Sequence, residues 1–396
     1  MTVKRSIHAL LLTVGSVIVC IAALTAQAQA ANPSCTGGSI KVGAVSTVTG
    51  PIDFSEVPKA TQAVFDQINA AGGVNGCKIE YTISDDRGDP QVAAQAARDL
   101  IDNKAVVAFV GNASLLECAV NGPLYKRKNV LDMGIGIDAA CFSSPSIAPV
   151  NVGPFVMTTA MGYFGTRSLD VKKLCAVIGI IGGTDEAYKT ALANWEKITG
   201  QKLHMLDLSM TPGGDLTPYV IKVRDAGCDA VVTNHIEPGV VQWIKTADAQ
   251  KITGISWLFL SPGYTEEVAK ALADTKQPVY VSTEFEPYTE VNSEANKAWI
   301  ASMTAAKRPL TGWSQGGYLA AQLFLEVIKG IDGPVTRDTV TSALLKMTPI
   351  KVSLNGSAWV FGEHATHSPM QATKVMKLDH GKWTVATPNW MVLPPL

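Results

Sequence analysis

Stretches rich in β-branched residues alternate with stretches of helical periodicity along most of the chain. The first unit is a strand from Val42 to Val48, a Thr-Gly-Pro turn at 49–51, and a helix after Pro58 whose apolar residues recur at helical spacing. Ligands of open α/β sheets bind outside the carboxyl ends of the strands. The pattern therefore predicts a binding site close to residues 49–56.

The alternation continues in two series, which a Pro- and Ser-rich stretch at 143–154 separates. Strands are predicted at 42–48, 78–84, 105–110 and 130–135, then at 174–181, 202–208, 229–233, 256–260 and 278–281, with helices between them that include 91–103, 115–127 and 158–169. Helices at 292–307, 318–329 and 336–347 and a short hairpin near 374–383 follow. Repeated strand-helix units predict an α/β fold with two doubly wound parallel sheets in tandem.

Length and charge narrow the class of protein. The chain has 396 residues, which exceeds the size at which one hydrophobic core usually stops growing, so we expect two lobes. It carries 33 basic and 34 acidic residues, and 47% of its residues are apolar. Nucleic-acid binding requires a basic surface that neutralises phosphates, so we expect no nucleic-acid partner.

The first 30 residues have the pattern of a secretory signal peptide. Lys4 and Arg5 precede an apolar run at residues 9–24, and Ala28-Gln29-Ala30 matches an A-x-A cleavage site. A membrane anchor is the alternative, but the run is short for a transmembrane span. We therefore expect residues 1–30 to be removed and the mature protein to be exported.

Export changes the interpretation of the cysteines. Six of the seven remain after Cys20 leaves with the signal peptide, and an even number in an oxidising compartment favours disulfides over six buried free thiols. Two pairs of cysteines precede strands that meet at one sheet edge if those strands are parallel neighbours. A third pair lies early in a helix and in the loop after the next strand. The predicted pairs are Cys35–Cys77, Cys175–Cys228 and Cys118–Cys141.

Three short motifs suggest other chemistry. Residues 312–316 match the G-x-S-x-G motif of serine hydrolases, with Ser314 as nucleophile and Asp332 or Asp338 and His364 or His367 following in hydrolase order. The preceding residues 305–310 cannot form the strand that such a motif requires, so Ser314 is expected at the start of a helix. Gly134-Ile135-Gly136 lacks the third glycine of a dinucleotide site, and the two histidines lack a zinc-binding partner. We expect no cofactor, no metal and no catalytic residue.

The chain resembles the type I periplasmic substrate-binding proteins, in particular those of branched-chain amino-acid (Leu/Ile/Val) ABC transporters. The resemblance covers nearly the whole mature chain and is carried by Thr49-Gly50-Pro51, the run from Ile68 to Gly76, the turn at Asp85-Asp86, and Pro149-Val150-Asn151. It implies two Rossmann-like lobes joined by three crossover segments. Lobe one would comprise 32–155 plus 286–347, and lobe two 156–285 plus 348–396.

The resemblance also implies where a ligand is held. Binding residues carried over by position follow the strands of both lobes. In the first lobe they are Phe54, Ser55, Asn112, Ala113, Ser114, Leu115, Gly136, Ile137 and Asp138. In the second lobe they are Thr184, Asp185, Asn234, His235, Glu237, Pro262, Gly263 and Tyr264.

Several of these side chains have an expected chemical role. Asn112 and Ser114 precede a helix, so a hydroxyl and free amide N–H groups suit a ligand carboxylate. Ser114 would also suit a plain helix cap, and both roles can hold together. Asp138, Asp185 or Glu237 would receive an ammonium group, although Asp138 would also suit a helix cap and Glu237 a solvated helix start. The first loop of lobe two, Gly182-Gly183-Thr184-Asp185, lacks the Tyr-Gly turn that branched-chain amino-acid binders usually have.

The expected function is therefore that of a periplasmic, monomeric binding protein. It would close its lobes around a small amino acid or a related aromatic or aliphatic carboxylate and deliver it to the membrane permease of an ABC transporter. An exported serine hydrolase and a ligand-sensing domain of the same fold are the alternatives.

Overall fold

A computed structural model describes residues 35, 38–50, 52–211, 213–367 and 370–396. The predicted signal peptide, 1–30, lies outside these residues. No helix among the described residues is both long enough and apolar enough to cross a bilayer. The strands are β1 Ser39–Ser46, β2 Lys78–Asp85, β3 Ala108–Ala113, β4 Asp132–Ile135, β5 Leu174–Gly179, β6 Met205–Met210, β7 Ala230–Thr233, β8 Ser256–Phe259, β9 Val279–Thr283, β10 Ala372–Asp379, β11 Lys382–Val385 and β12 Met391–Val392.

Twelve α-helices are described between and after these strands. They are α1 Glu56–Ala70, α2 Pro90–Arg98, α3 Glu117–Lys128, α4 Ala139–Ser143, α5 Pro154–Ser168, α6 Asp185–Thr199, α7 Thr217–Asp225, α8 Glu237–Ala249, α9 Glu266–Ala271, α10 Lys297–Ala305, α11 Gly312–Lys329 and α12 Arg337–Lys346. A π-helical segment, Asp99–Asn103, continues α2. Short 3₁₀ turns occupy Ser261–Gly263 and Glu294–Asn296.

The strands form two separate sheets, as the alternation predicts. The first has the order β2-β1-β3-β4 and is entirely parallel. The second has the order β11-β10-β9-β8-β7-β5-β6, with β12 beside β10. Its strands β5 to β9 are parallel, and β10 and β11 add an antiparallel edge.

The chain crosses between the two sheets three times. It passes from β4 to the helix α5 of the second sheet, returns after β9 to α10, α11 and α12, and crosses again to β10. Helix α11 packs against α1 and against β3 and β4. The predicted boundaries of the two lobes stay a prediction. Trp359 and His367, which fall in the range predicted for lobe two, hydrogen-bond to Pro149 and Phe142 of the first series.

A close contact between α1 and α11 fixes the centre of the first lobe. Gly317 of α11 lies so near α1 that a Cβ atom there would be 2.0 Å from the carbonyl oxygen of Val57. The hydroxyl of Thr61 donates to the carbonyl of Gly317 at 2.8 Å. The backbones of the two helices are therefore in direct contact.

The three predicted disulfides are confirmed. Cys35–Cys77, Cys118–Cys141 and Cys175–Cys228 have Cα–Cα distances of 5.6, 5.1 and 5.9 Å, within the usual range for disulfides. The first pair precedes β1 and β2, which are parallel neighbours. The third pair links β5 to Cys228, two residues before its parallel neighbour β7.

Several predicted boundaries are wrong by a few residues. Helix α11 begins at Gly312 rather than at 318, because Thr311 and Ser314 form a capping box in which each side chain bonds the other's backbone. Helix α3 begins at Glu117 rather than at 115, since Ser114 bonds the backbone N–H groups of residues 116 and 117. Strand β6 begins at Met205 rather than at 202.

Candidate functional site

A cavity of about 430 Å³ lies where the carboxyl ends of the two sheets face each other. From the first lobe, Ile52 and Phe54 follow β1, Leu115 follows β3, and Ile137 follows β4. The second-lobe residues lie at or after the carboxyl ends of β5 to β9 and include Ile181, Thr184, Met210, Asn234, His235, Ile236, Leu260, Pro262 and Glu284. A ligand in this cavity would contact loops of both lobes.

The first-lobe wall of the cavity is aromatic as well as aliphatic. Phe54 precedes α1 and Trp313 lies in the first turn of α11, and their rings meet edge to face with 5.2 Å between centroids. The contact depends on the packing of α1 against α11, because the two residues are far apart in sequence. The contact places the Trp313 indole beside the cavity. The pattern of the strands alone does not predict this position of the indole.

Three asparagines use their side chains to hold strand ends together. The Oδ1 atoms of Asn112, Asn151 and Asn234 accept from the backbone N–H groups of Val45, Gly136 and Gly179, at 3.0, 2.8 and 2.9 Å. The amide groups of Asn151 and Asn234 also donate to the carbonyl oxygens of the same glycines. These polar atoms are therefore occupied by the scaffold.

The helix starts beside the cavity are capped by the protein itself. The Ser114 hydroxyl accepts from the N–H groups of Leu116 and Glu117 at 3.2 and 3.3 Å. The Asp138 carboxylate accepts from Ala140 at 2.6 Å, from Cys141 at 3.3 Å, and from Ala119 of α3 at 3.4 Å. Three N–H groups at the start of α3 therefore already bond side chains, and the carboxylate contact expected at this position stays a prediction.

Two buried carboxyl groups lie behind this part of the cleft. Glu117 and Asp132 are each 1% exposed, and the Tyr125 hydroxyl donates to Glu117. Burial raises the pKa of Glu117 to about 8. Burial and the neighbouring Glu117 raise the pKa of Asp132 well above its usual range. At neutral pH the pair therefore retains a proton that isolated carboxyl groups would release.

His235 is an uncharged polar group in the cavity wall. It is 7% exposed, and burial lowers its pKa to about 4, so the ring is neutral at pH 7. The ring lies 5.4 Å from that of Trp243. Gly239 leaves room for the imidazole, since a Cβ atom there would be 2.4 Å from Nδ1.

Glu284 stands where two crossovers meet the cavity. Its Oε2 accepts from the N–H of Gly153 at 2.9 Å, and its Oε1 accepts from the Ser261 hydroxyl at 2.7 Å. Burial raises its pKa above the usual range, and these hydrogen bonds act in the opposite direction. The side chain therefore joins the first crossover to the loop after β8.

A second cavity, of about 540 Å³, adjoins the first. Both are lined by Ile135, Pro262, Glu284 and Trp313. The second is polar, and its lining carboxylates are Asp53, Glu56, Glu237, Glu266, Glu267 and Glu284. Neither cavity is lined by a lysine or an arginine among the described residues.

The structure brings about half of the predicted binding residues to the first cavity. These are Phe54, Leu115, Gly136, Ile137, Asp138, Thr184, Asn234, His235 and Pro262. Glu237 and Tyr264 line the second cavity instead. Whether any of them contacts a ligand stays a prediction.

The remaining predicted residues line neither cavity and are Ser55, Asn112, Ala113, Ser114, Asp185 and Gly263. The Ser55 hydroxyl is bonded by Lys59 at 2.9 Å. Asp185 pairs with Lys189 at 3.2 Å on the exposed side of α6, and its predicted role toward a ligand ammonium stays a prediction. Ala113 and Gly263 are buried in the scaffold.

Several lining residues were not predicted from the sequence. Ile181 follows β5 and Met210 ends β6, and their position at the carboxyl ends of strands was a usable signal. Tyr188 reaches the cavity from inside α6, where its hydroxyl accepts from Asn234 at 2.9 Å. Glu284 directly follows β9 and carried the same signal, whereas Trp313 reaches the cavity through the α1–α11 contact, for which a local pattern holds no signal.

Comparisons with known proteins agree with this arrangement. The profile of the periplasmic binding protein family matches residues 39–382. The Leu/Ile/Val-binding protein homolog 4 of Brucella melitensis is 22% identical over 357 residues, which cover 85% of this chain and 84% of that protein.

Solved structures share the fold at low sequence identity. A branched-chain amino acid ABC transporter protein from Thermus thermophilus with bound valine has a TM-score of 0.74 at 14% identity, over 91% of this chain and 97% of the other. A fatty acid ABC transporter substrate-binding protein from Thermomonospora curvata also has a TM-score of 0.74, at 17% identity, over 90% and 93%. The predicted two-lobed α/β fold is confirmed.

Proposed function

Because the chain belongs to the periplasmic binding protein family, we propose that it is the solute-binding component of an ABC importer. The family is extracytoplasmic, and three disulfides suit an oxidising compartment. The N-terminal 30 residues act as the signal peptide, and the mature chain works as a monomer that docks on a membrane permease. The fold is that of substrate-binding proteins rather than of enzymes.

The observation that carries this proposal is the position of the first cavity. Its lining follows β1, β3 and β4 of one sheet and β5 to β9 of the other. A ligand that contacts both sets of loops has a higher affinity for the closed arrangement of the lobes, so binding shifts the population towards closure. The closed form is then the one presented to the permease.

The ligand is a small organic molecule with an aliphatic or aromatic part. The similar proteins are named as binding proteins for leucine, isoleucine and valine and for a fatty acid, and all of these ligands have an aliphatic portion. Isoleucine, leucine and phenylalanine side chains in the wall support the same feature here. An amino acid or a related carboxylate is the class that the sequence resemblance implies.

A thermal-shift screen of amino acids, carboxylates, alcohols and amines tests the proposal. A ligand that binds only the folded chain raises its melting temperature by mass action. Ile181→Trp, which fills part of the cavity without adding a charge, should weaken or abolish the shift, whereas Val291→Trp at a position 57% exposed should preserve it. A screen in which no solute stabilises the folded chain would argue against a binding role.

The serine hydrolase alternative has little support in the geometry. Ser314 is 1% exposed and lies in the capping box of α11, where its hydroxyl donates to the Thr311 carbonyl at 3.0 Å. The elbow motif needs the serine exposed on a strand-to-helix turn. We therefore expect no esterase activity, and Ser314→Ala should leave any background hydrolysis unchanged. A sensing protein would use the same cleft. The absence of a neighbouring permease gene would distinguish it from a transport protein.

A further inference from the structure

We propose that the preferred ligand is an amine with an apolar body and no carboxylate, held with its body in the first cavity and its charge beside Glu284. The proposal rests on the proposed function and specifies the ligand class of that same cleft. It departs from the amino-acid or carboxylate ligand that the sequence resemblance implies.

The first observation concerns the position where a carboxylate was expected. The N–H groups of Leu116, Glu117 and Ala119 at the start of α3 already bond Ser114 and Asp138. A ligand carboxylate arriving there would have to displace these acceptors and would lie beside the Asp138 carboxylate. The helix start that suits anions is thus occupied by the protein's own oxygen atoms.

The second observation is the charge of the walls. Asp138 and Glu284 line the first cavity, and no lysine or arginine of the described residues lines either cavity. His235 is neutral at pH 7 and supplies no countercharge. Of the further carboxylates in the second cavity, Glu266 pairs with Lys270 at 3.0 Å. The field in the cleft therefore favours a cation over an anion.

The third observation is the division of the space into two adjoining parts. The first cavity has a mostly aliphatic and aromatic wall, and its volume of about 430 Å³ is large enough for the apolar body of a ligand. No lysine or arginine of the described residues lines it. Glu284 and Trp313 line both cavities at their boundary. A carboxylate and an indole are two groups that attract an ammonium ion, by charge and by the cation–π interaction.

The burial of the two carboxyl groups supports this assignment. Burial raises the pKa of Asp138 and of Glu284, because removal from water disfavours their ionised forms, and the hydrogen bonds to them act in the opposite direction. An ammonium group in the cleft would stabilise the ionised forms. A ligand carboxylate would add a further negative charge to the same region.

Two matched series of ligands test the proposal on the unmodified mature chain. The first is 3-methylbutan-1-amine, leucine and 4-methylpentanoate, and the second is 2-phenylethylamine, phenylalanine and 3-phenylpropanoate. Within each series the apolar body is constant and only the charged groups change. We expect calorimetry to give the amine an affinity at least about ten-fold higher than that of the carboxylate.

A variant links the charge preference to one side chain. Glu284→Gln keeps the shape and one acceptor oxygen, and it should lower amine affinity by about ten-fold or more while the carboxylate gains or stays equal. Glu326→Gln, the same change at an exposed position of α11, should leave both affinities unchanged. The melting temperature without ligand shows whether each variant is folded, and the comparison on the unmodified chain does not depend on the variants.

The outcomes separate the two proposals. Tighter binding of the carboxylate or the amino acid in either series overturns the amine assignment but leaves the binding function standing. Failure of every amine, acid, amino acid and alcohol in the wider screen to bind contradicts the binding function itself.

Discussion

We expect the free energy of unfolding of the unmodified chain to fall as the pH rises, and we expect Glu117→Gln to reduce that fall. Glu117 is 1% exposed, and burial raises its pKa from 4.5 to about 8. Between these values the folded chain holds a proton that the unfolded chain has released. The free energy of unfolding therefore falls as the pH rises through this window.

The structure sets the size of the effect. At about 1.36 kcal/mol per pH unit, the full window corresponds to roughly 4 to 5 kcal/mol. Asp132 and Asp138 also act on this group, and Asp132 still titrates in the variant. We therefore expect the unmodified chain to lose about 2 kcal/mol more than Glu117→Gln does between about pH 5 and about pH 8.

Urea unfolding at several pH values, followed by circular dichroism, measures the difference. Glutamine retains an oxygen that can accept from the Tyr125 hydroxyl, so the variant should fold. Glu326→Gln makes the same chemical change at an exposed site and should reproduce the pH dependence of the unmodified chain. Identical pH slopes for the unmodified chain and Glu117→Gln would refute the reasoning.

Three further changes test the scaffold around the cleft. Ser114→Ala removes a helix cap and should cost about 1 kcal/mol in urea unfolding, while ligand affinity by calorimetry changes little; a large loss of affinity would return Ser114 to the binding site. Gly317→Ala forces a methyl group against the Val57 carbonyl and should lower stability by about 1 to 3 kcal/mol or more, and an unchanged melting temperature would show that the helices separate easily. Replacing Cys118 and Cys141 together by serine opens a 23-residue loop and should cost about 3 kcal/mol in the chain-entropy model, checked against the unmodified chain under the same non-reducing conditions.

The sequence was sufficient for the sheets and the disulfides, because both follow from local periodicity and strand order. The strand at Val42 and its neighbour at Lys78 are read from β-branched runs, and the pairing of Cys35 with Cys77 follows once these strands are parallel. Positions directly after strands, such as Phe54, were found for the same reason.

The parts of the site that were missed depend on tertiary contacts. The side chain of Asn112 bonds the backbone of Val45, 67 residues away, so its orientation follows from the packing of two strands rather than from its neighbours. Trp313 reaches the cavity only because α11 packs on α1. Ser114 was placed correctly before a helix, where the sequence left a helix cap and a ligand contact both open, and its hydroxyl bonds the helix start.

Small-angle X-ray scattering at a saturating concentration of the best ligand from the screen tests the central claim most directly. If a solute contacts the loops of both lobes, the radius of gyration should fall when it binds, and Ile181→Trp should show a smaller fall or none at the same ligand concentration. A saturated complex whose radius of gyration and scattering profile match those of the ligand-free chain would contradict closure of the two lobes around a solute.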